Sequence, residues 1–214
     1  MRPSKDFFSF VSGLINPLKK KGMNIKIKSV FFNGDFDYFN ISVAELKKLI
    51  ATGIELNQKD QQQRTPLMYL ASSNCNPQVI EVMITAGARV NETDIMGRTP
   101  LMMAARYNKN PLILEELIKH GAIIDQTDLR RKTALMLAAA NNENPQIIET
   151  LLEKGANGRL KDSQGLTAFG HLKKSYNSVL RKSPAFYMLK RGEQSKKNPP
   201  ATTKITDLRD VMNS

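Results

Sequence analysis

Apolar residues recur in phase through the middle of this chain. Val79, Ile80, Met83 and Ile84 return as Ile113, Leu114, Leu117 and Ile118, and again as Ile147, Ile148, Leu151 and Leu152. The i, i+1, i+4, i+5 spacing gathers each quartet on one wide helical face. A second set precedes each quartet: Leu67, Met68 and Ala71, then Leu101, Met102 and Ala105, then Leu135, Met136 and Ala139. Every copy lies 34 residues after the last. The pattern predicts two short helices per unit and a tandem array of units.

Polar residues mark the boundaries. Thr65, Thr99 and Thr133 stand where a hydroxyl can cap a first helix, with Pro66 and Pro100 next, at a position that needs no N–H. Asn76-Pro77, Asn110-Pro111 and Asn144-Pro145 open the second helix in the same way. Gly87, Gly121 and Gly155 close it, since glycine accepts the left-handed conformation. Between units lie polar stretches with an aspartate at constant phase: Asp60, Asp94, Asp128 and Asp162. Their phase explains them as turn-formers, although four acids invite a catalytic reading.

The units predicted are a degenerate first repeat at 30–63, repeats at 64–97, 98–131 and 132–165, and an irregular closing cap at 166–191. Ser183-Pro184 is expected to open a last helix through Phe186, Tyr187 and Leu189. Residues 1–29 form a basic extension in which Phe7, Phe10, Val11, Leu14 and Leu18 share a helical stripe. It reads as a loose extension, an amphipathic anchor or a signal peptide. The last reading is weakened by a short apolar part, Asp6 and the lack of a cleavage site. Residues 24–32 alternate like extended chain, and 192–214 read as a basic disordered tail with a short helix at 205–212.

Thr-Pro-Leu, Ala-Ala, an apolar second helix, Gly-Ala, Val/Ile-x-Asn/Asp and an Asp-x-x-Gly turn together resemble the ankyrin repeat over roughly residues 40–170. The resemblance implies an all-α solenoid of stacked helix-turn-helix units with projecting β-turn or hairpin loops. It also implies a non-catalytic module that binds a protein partner in a concave groove lined by turn tips and first helices. The family period is 33; here the extra residue falls in the Asn-x-Asn-Pro loop. That variant is similar to bacterial ankyrin proteins, some of which act on host cells. Met68, Met102 and Met136 replace the family's usual histidine, exchanging an imidazole network for apolar filling. Gln63 and Arg131 replace the turn glycine kept at Gly97 and Gly165, so those two turns are expected to be strained or differently shaped.

Charge changes the picture little. The net charge is +12. Residues 41–170 hold 15 Lys/Arg against 14 Asp/Glu, while 1–40 hold 7 against 3 and 171–214 hold 10 against 3. A basic groove is therefore not expected, and a membrane or nucleic acid would be met only through the ends. Cys75 is the single cysteine, so no intramolecular disulfide forms and a cytoplasmic setting is expected, with secretion into a host cell as the alternative. Neither His120 nor His171 has a cysteine or carboxylate at metal-ligand spacing, and no phosphate loop is present. No catalytic residue, metal, cofactor or small-molecule substrate is expected, and the chain is expected to act as a monomer.

Matched by phase to groove positions, the candidate binding residues are Arg64, Thr93, Ile95, Met96, Arg98, Arg106, Tyr107, Leu129, Arg130, Lys132 and Asn141. The middle unit is the sharpest choice. Ile95 and Met96 are apolar at a tip, and Arg and Tyr are enriched in binding hot spots.

Overall fold

The computed structural model describes residues 37–175 and 178–194. The expected amphipathic stripe and extended segment lie outside these residues, as do 30–36 of the first repeat and 195–214 of the tail; the tail's first three residues, 192–194, are not disordered as expected but continue the last helix. Among the described residues are ten helices and no strands. They are α1 (Val43–Ala51), α2 (Pro66–Ser73), α3 (Pro77–Thr85), α4 (Pro100–Tyr107), α5 (Pro111–Lys119), α6 (Ala134–Asn141), α7 (Pro145–Glu153), α8 (Ala168–Lys174), α9 (Ser178–Arg181) and α10 (Pro184–Gln194). First helices α2, α4, α6 and α8 pack in one row. Second helices α1, α3, α5 and α7 pack in another, which α10 continues. The closing helix expected at Ser183-Pro184 forms, but the short α9 precedes it.

The boundaries follow the predicted chemistry. Thr65, Thr99, Thr133 and Thr167 each accept a first-turn amide. Asn76, Asn110 and Asn144 do so for the second helices. Gly87, Gly121 and Gly155 have φ of 107°, 89° and 95°. One face of each helix is withdrawn from water. Leu67, Met68 and Ala71, Val79, Ile80 and Met83, and their counterparts through Leu151 are at most 1% exposed. Ile84, Ile118 and Leu152 are only partly covered and pack on the core's edge. Truncating a fully buried Leu or Ile to alanine costs about 2–5 kcal/mol.

The helix–helix loops do more than join helices. Asn74, Asn108 and Asn142 are buried. Asn108 Nδ2 donates to the carbonyls of Ala71 and Asn74, both at 2.9 Å, one unit back. Asn142 Nδ2 repeats this to Ala105 at 3.0 Å and Asn108 at 2.8 Å. Asn74 reaches Tyr38 and Ile41. Each Oδ1 meanwhile accepts the amide two residues on. The result is a buried asparagine ladder that satisfies carbonyls left over at first-helix C-termini. The second asparagines add rungs: Asn110 Nδ2 donates to Cys75 O and Asn144 Nδ2 to Lys109 O.

A second ladder ties unit to unit after each Gly-Ala. Asn57 clamps the next unit with Nδ2 to Gly87 O at 2.9 Å and Oδ1 from Arg89 N at 2.8 Å. Asn91 does the same with Gly121 O and Ile123 N. Asp125 occupies the third place and accepts from Asn157 N at 3.0 Å, but a carboxylate has no proton to give Gly155 O.

Candidate partner-binding face

The projecting tips are built around the phased aspartates. Asp60 Oδ1 accepts the amides of Gln62 and Arg64, Asp94 those of Met96 and Arg98, Asp128 those of Arg130 and Lys132, and Asp162 those of Gln164 and Leu166. A backbone bond between each aspartate and the residue four later closes a tight turn. The aspartates are turn-formers, as their phase predicts. Successive tips join by one backbone bond each: Ile95 N to Gln62 O, Leu129 N to Met96 O and Ser163 N to Arg130 O. The tips therefore run as a continuous rim beside the first-helix row.

Gln63 and Arg131 stand at φ 60°, beside 76° for Gly97 and 75° for Gly165. The two turns keep the shape of the glycine turns and carry the strain.

The remaining carboxylate oxygens have different partners. Tyr69 Oη donates to Asp60 Oδ2 at 2.6 Å. Arg98 grips Asp94 Oδ2 at 2.6 and 2.8 Å. His171 Nε2 meets Asp162 Oδ2 at 2.8 Å. Burial, with Lys132 and Lys174 nearby, lowers the His171 ring below its usual range, against the pull of Asp162. Burial alone would raise Asp162, but the amides of Leu166 and Gln164 and the His171 ring bring it below the ordinary carboxylate value.

The sequence-derived positions divide on this rim. Ile95 is 59% exposed, Leu129 72% and Tyr107 50%, with Met96 beside them. Arg106 lies over the Tyr107 ring, 5.0 Å from its centroid. Arg130 is exposed and Lys132 and Thr93 half-buried. Arg64 is half-buried, with its guanidinium 5.9 Å from the Tyr69 ring centre. Arg98 is held by Asp94, and Asn141, though exposed, donates to Leu137 O of its own helix. These two are the most occupied of the set.

One group, on the second-helix row, needed the structure. His120 caps α5 as predicted, with its backbone N–H on Glu116 O. Its ring, however, lies 3.2 Å from Glu116 Oε1, four residues earlier, and Glu81 of α3 comes close enough for all three to share an ion. The expectation that neither histidine has a carboxylate at ligand spacing is corrected here: one helical turn supplies Glu116. Lys119 already lies 3.0 Å from Glu116 and 3.9 Å from Glu81, so an ammonium balances this pair. Cys75 is exposed, as its loop position predicts.

A family model described as ankyrin repeats (3 copies) matches residues 42–128 and 101–172. The chain belongs to the ankyrin-repeat family. No curated protein matches it. Ankyrin repeats are generally protein–protein interaction modules and typically non-catalytic. In this ankyrin-repeat chain the methionines at the family's histidine positions are fully buried, and the inter-unit polar ties pass to the asparagine ladders. Sequence reasoning missed those ties. Their one visible signal was two asparagines in phase where a single residue suffices to cap a helix.

Proposed function

We propose that this protein captures a partner on the face formed by the tip rim and the outer ends of α4 and α6. Ile95, Met96, Leu129, Arg106 and Tyr107 form its centre. The observation that carries the reading is the exposure of Ile95, Leu129 and Tyr107 at positions where the other units mostly hold Gln, Ser or Asn. Ile95 and Leu129 share one phase, where the flanking units hold Gln61 and Ser163, and at the phase of Tyr107 the other units hold Ser73, Asn141 and Ser175. Water alone would not favour three large apolar groups on one rim. Tyr107 under a guanidinium is a rigid amphipathic anchor of the kind that dominates interface energetics.

The double variant R106A/Y107A tests it. Both side chains lie at the end of α4, outside the packed row, so melting stays close to that of the parent. Binding to a validated partner falls by more than about tenfold if the pair is a hot spot. Undiminished binding refutes the assignment.

A further inference from the structure

Summed along the chain, the repeats are nearly neutral; sorted by face, they are not. Residues 58–73, 92–107, 126–141 and 160–174, which make the tips and first helices, hold ten Lys/Arg and five Asp/Glu. Residues 74–91, 108–125 and 142–159, which make the loops and second helices, hold five and seven. The excess of cations on the first group is greatest at 126–141 and 160–174, and the acids of the second group offset part of it in a count along the chain.

The acids of the first group are also spent. Four are the turn aspartates, each accepting two amides. The fifth, Glu92, is held by Lys59 at 2.7 Å and Arg89 at 3.0 Å, and burial does not undo the lowering these cations cause. Of the bases, Lys59 is paired with Glu92 and Arg98 with Asp94. Arg106, Arg130, Arg131 and Lys132 have no ion pair among the described residues. Arg106 Nε is shielded from water without a hydrogen-bond partner. Unpaired cations therefore flank the apolar centre at Ile95, Met96 and Leu129.

We infer that the ligand of this face is an acidic segment of a partner protein that interleaves Asp or Glu with apolar side chains. The inference rests on the proposed capture face and adds the chemistry of what is captured. Carboxylates of such a segment meet Arg106, Arg130 and Lys132, where planar guanidinium groups give paired hydrogen bonds. Its apolar residues cover Ile95, Met96 and Leu129. The chain's own ends are excluded as occupants by charge, since both are strongly basic. Nucleic acid fits less well: one exposed ring, Tyr107, is a poor stacking platform, and three aliphatic groups hold the centre of the rim.

Panning a random twelve-residue peptide library on phage against the full-length protein tests the inference. Enriched peptides are rich in Asp and Glu beside Leu, Ile or Phe. As synthetic fluorescent peptides they bind in anisotropy titrations. Their affinity falls more than about tenfold in R130E/K132E and also in R106A/Y107A, but stays within about twofold in K109E/K154E, which alters net charge equally on other surfaces. Affinity drops as NaCl is raised. Far-UV circular dichroism of R130E/K132E confirms the fold, and R130Q alone gives a smaller loss in the same direction. Enriched peptides that need Arg106 and Tyr107 but carry no excess of acid overturn the inference and leave the capture face standing. Peptides indifferent to R106A/Y107A, or no enrichment at all, count against both. Tighter binding of a thymidine 20-mer than of any acidic peptide, lost in R130E/K132E, assigns the face to nucleic acid instead.

Discussion

Asn108→Ala is the most informative single change in the stack. The side chain is 3% exposed and makes three hydrogen bonds: Nδ2 to Ala71 O and Asn74 O, both 2.9 Å, and Oδ1 from Asn110 N, 2.9 Å. Each is worth about 1 kcal/mol net, and leaving a buried carbonyl without a donor costs about 1–3 kcal/mol. With partial relief by water entering the loop, the loss is about 3 kcal/mol. Asn110→Ala is the comparison. Its bonds to Cys75 O and from Leu112 N are solvent-exposed, so about 1 kcal/mol is expected. Asn108→Asp keeps the acceptor but turns a carboxylate toward two carbonyls in a buried site, and is expected to be worse than alanine. Urea unfolding followed at 222 nm measures all three. Hydrogen exchange should rise first at the α2 and α4 C-termini, where the rung is lost. If Asn108→Ala stays within about 1 kcal/mol of the parent, or matches Asn110→Ala, the ladder is not what joins the units.

Three further outcomes are expected. Arg131→Gly should stabilise by about 0.5–1 kcal/mol, the left-handed strain less glycine's greater freedom when unfolded. Gly97→Ala should do the reverse and more, because a Cβ there meets Leu129 N at 3.1 Å; urea midpoints read both. Asp125→Asn restores the missing donor to Gly155 O and should raise stability by about 0.5–1 kcal/mol, visible as a higher melting temperature. His171 is lowered in the fold, so the neutral ring is favoured there. Its contribution is complete above the unfolded value near 6.5 and is lost as pH falls below it; that of Asp162 follows below about 3.8. Melting temperature should therefore fall from pH 7 toward 5, and His171→Asn should flatten that slope. An unchanged slope refutes the assignment.

The repeat and its caps were legible because they rest on contacts within a few residues: Thr65 to Met68, Asp94 to Met96 and Arg98, Gly87 at its helix end. Such pairs leave their spacing in the sequence. Asn108 was not legible as a tie, because its decisive partners lie 34 and 37 residues away, while its local bond to Asn110 looks like an ordinary turn. The exposure of Ile95 and Tyr107 was read correctly from phase. The excess of cations on the tips and first helices was not, because acids of the loops and second helices offset part of it in a count along the chain. The pairing of His171 with Asp162 escaped notice too, although Tyr69 stands at the same phase and holds Asp60 in the same way.

The ladder also sets a rule for how this molecule can change length. Every unit carries both halves of its joint: an amide nitrogen that reaches backward and a carbonyl that awaits the unit behind. Removing residues 98–131 as a block would bring Asn142 to the carbonyls of Ala71 and Asn74 that Asn108 now satisfies. Inserting a single residue into the same loop would displace one half of the joint from the other. Whole units are thus the natural currency of gain and loss in this gene, and the loop asparagines enforce the denomination.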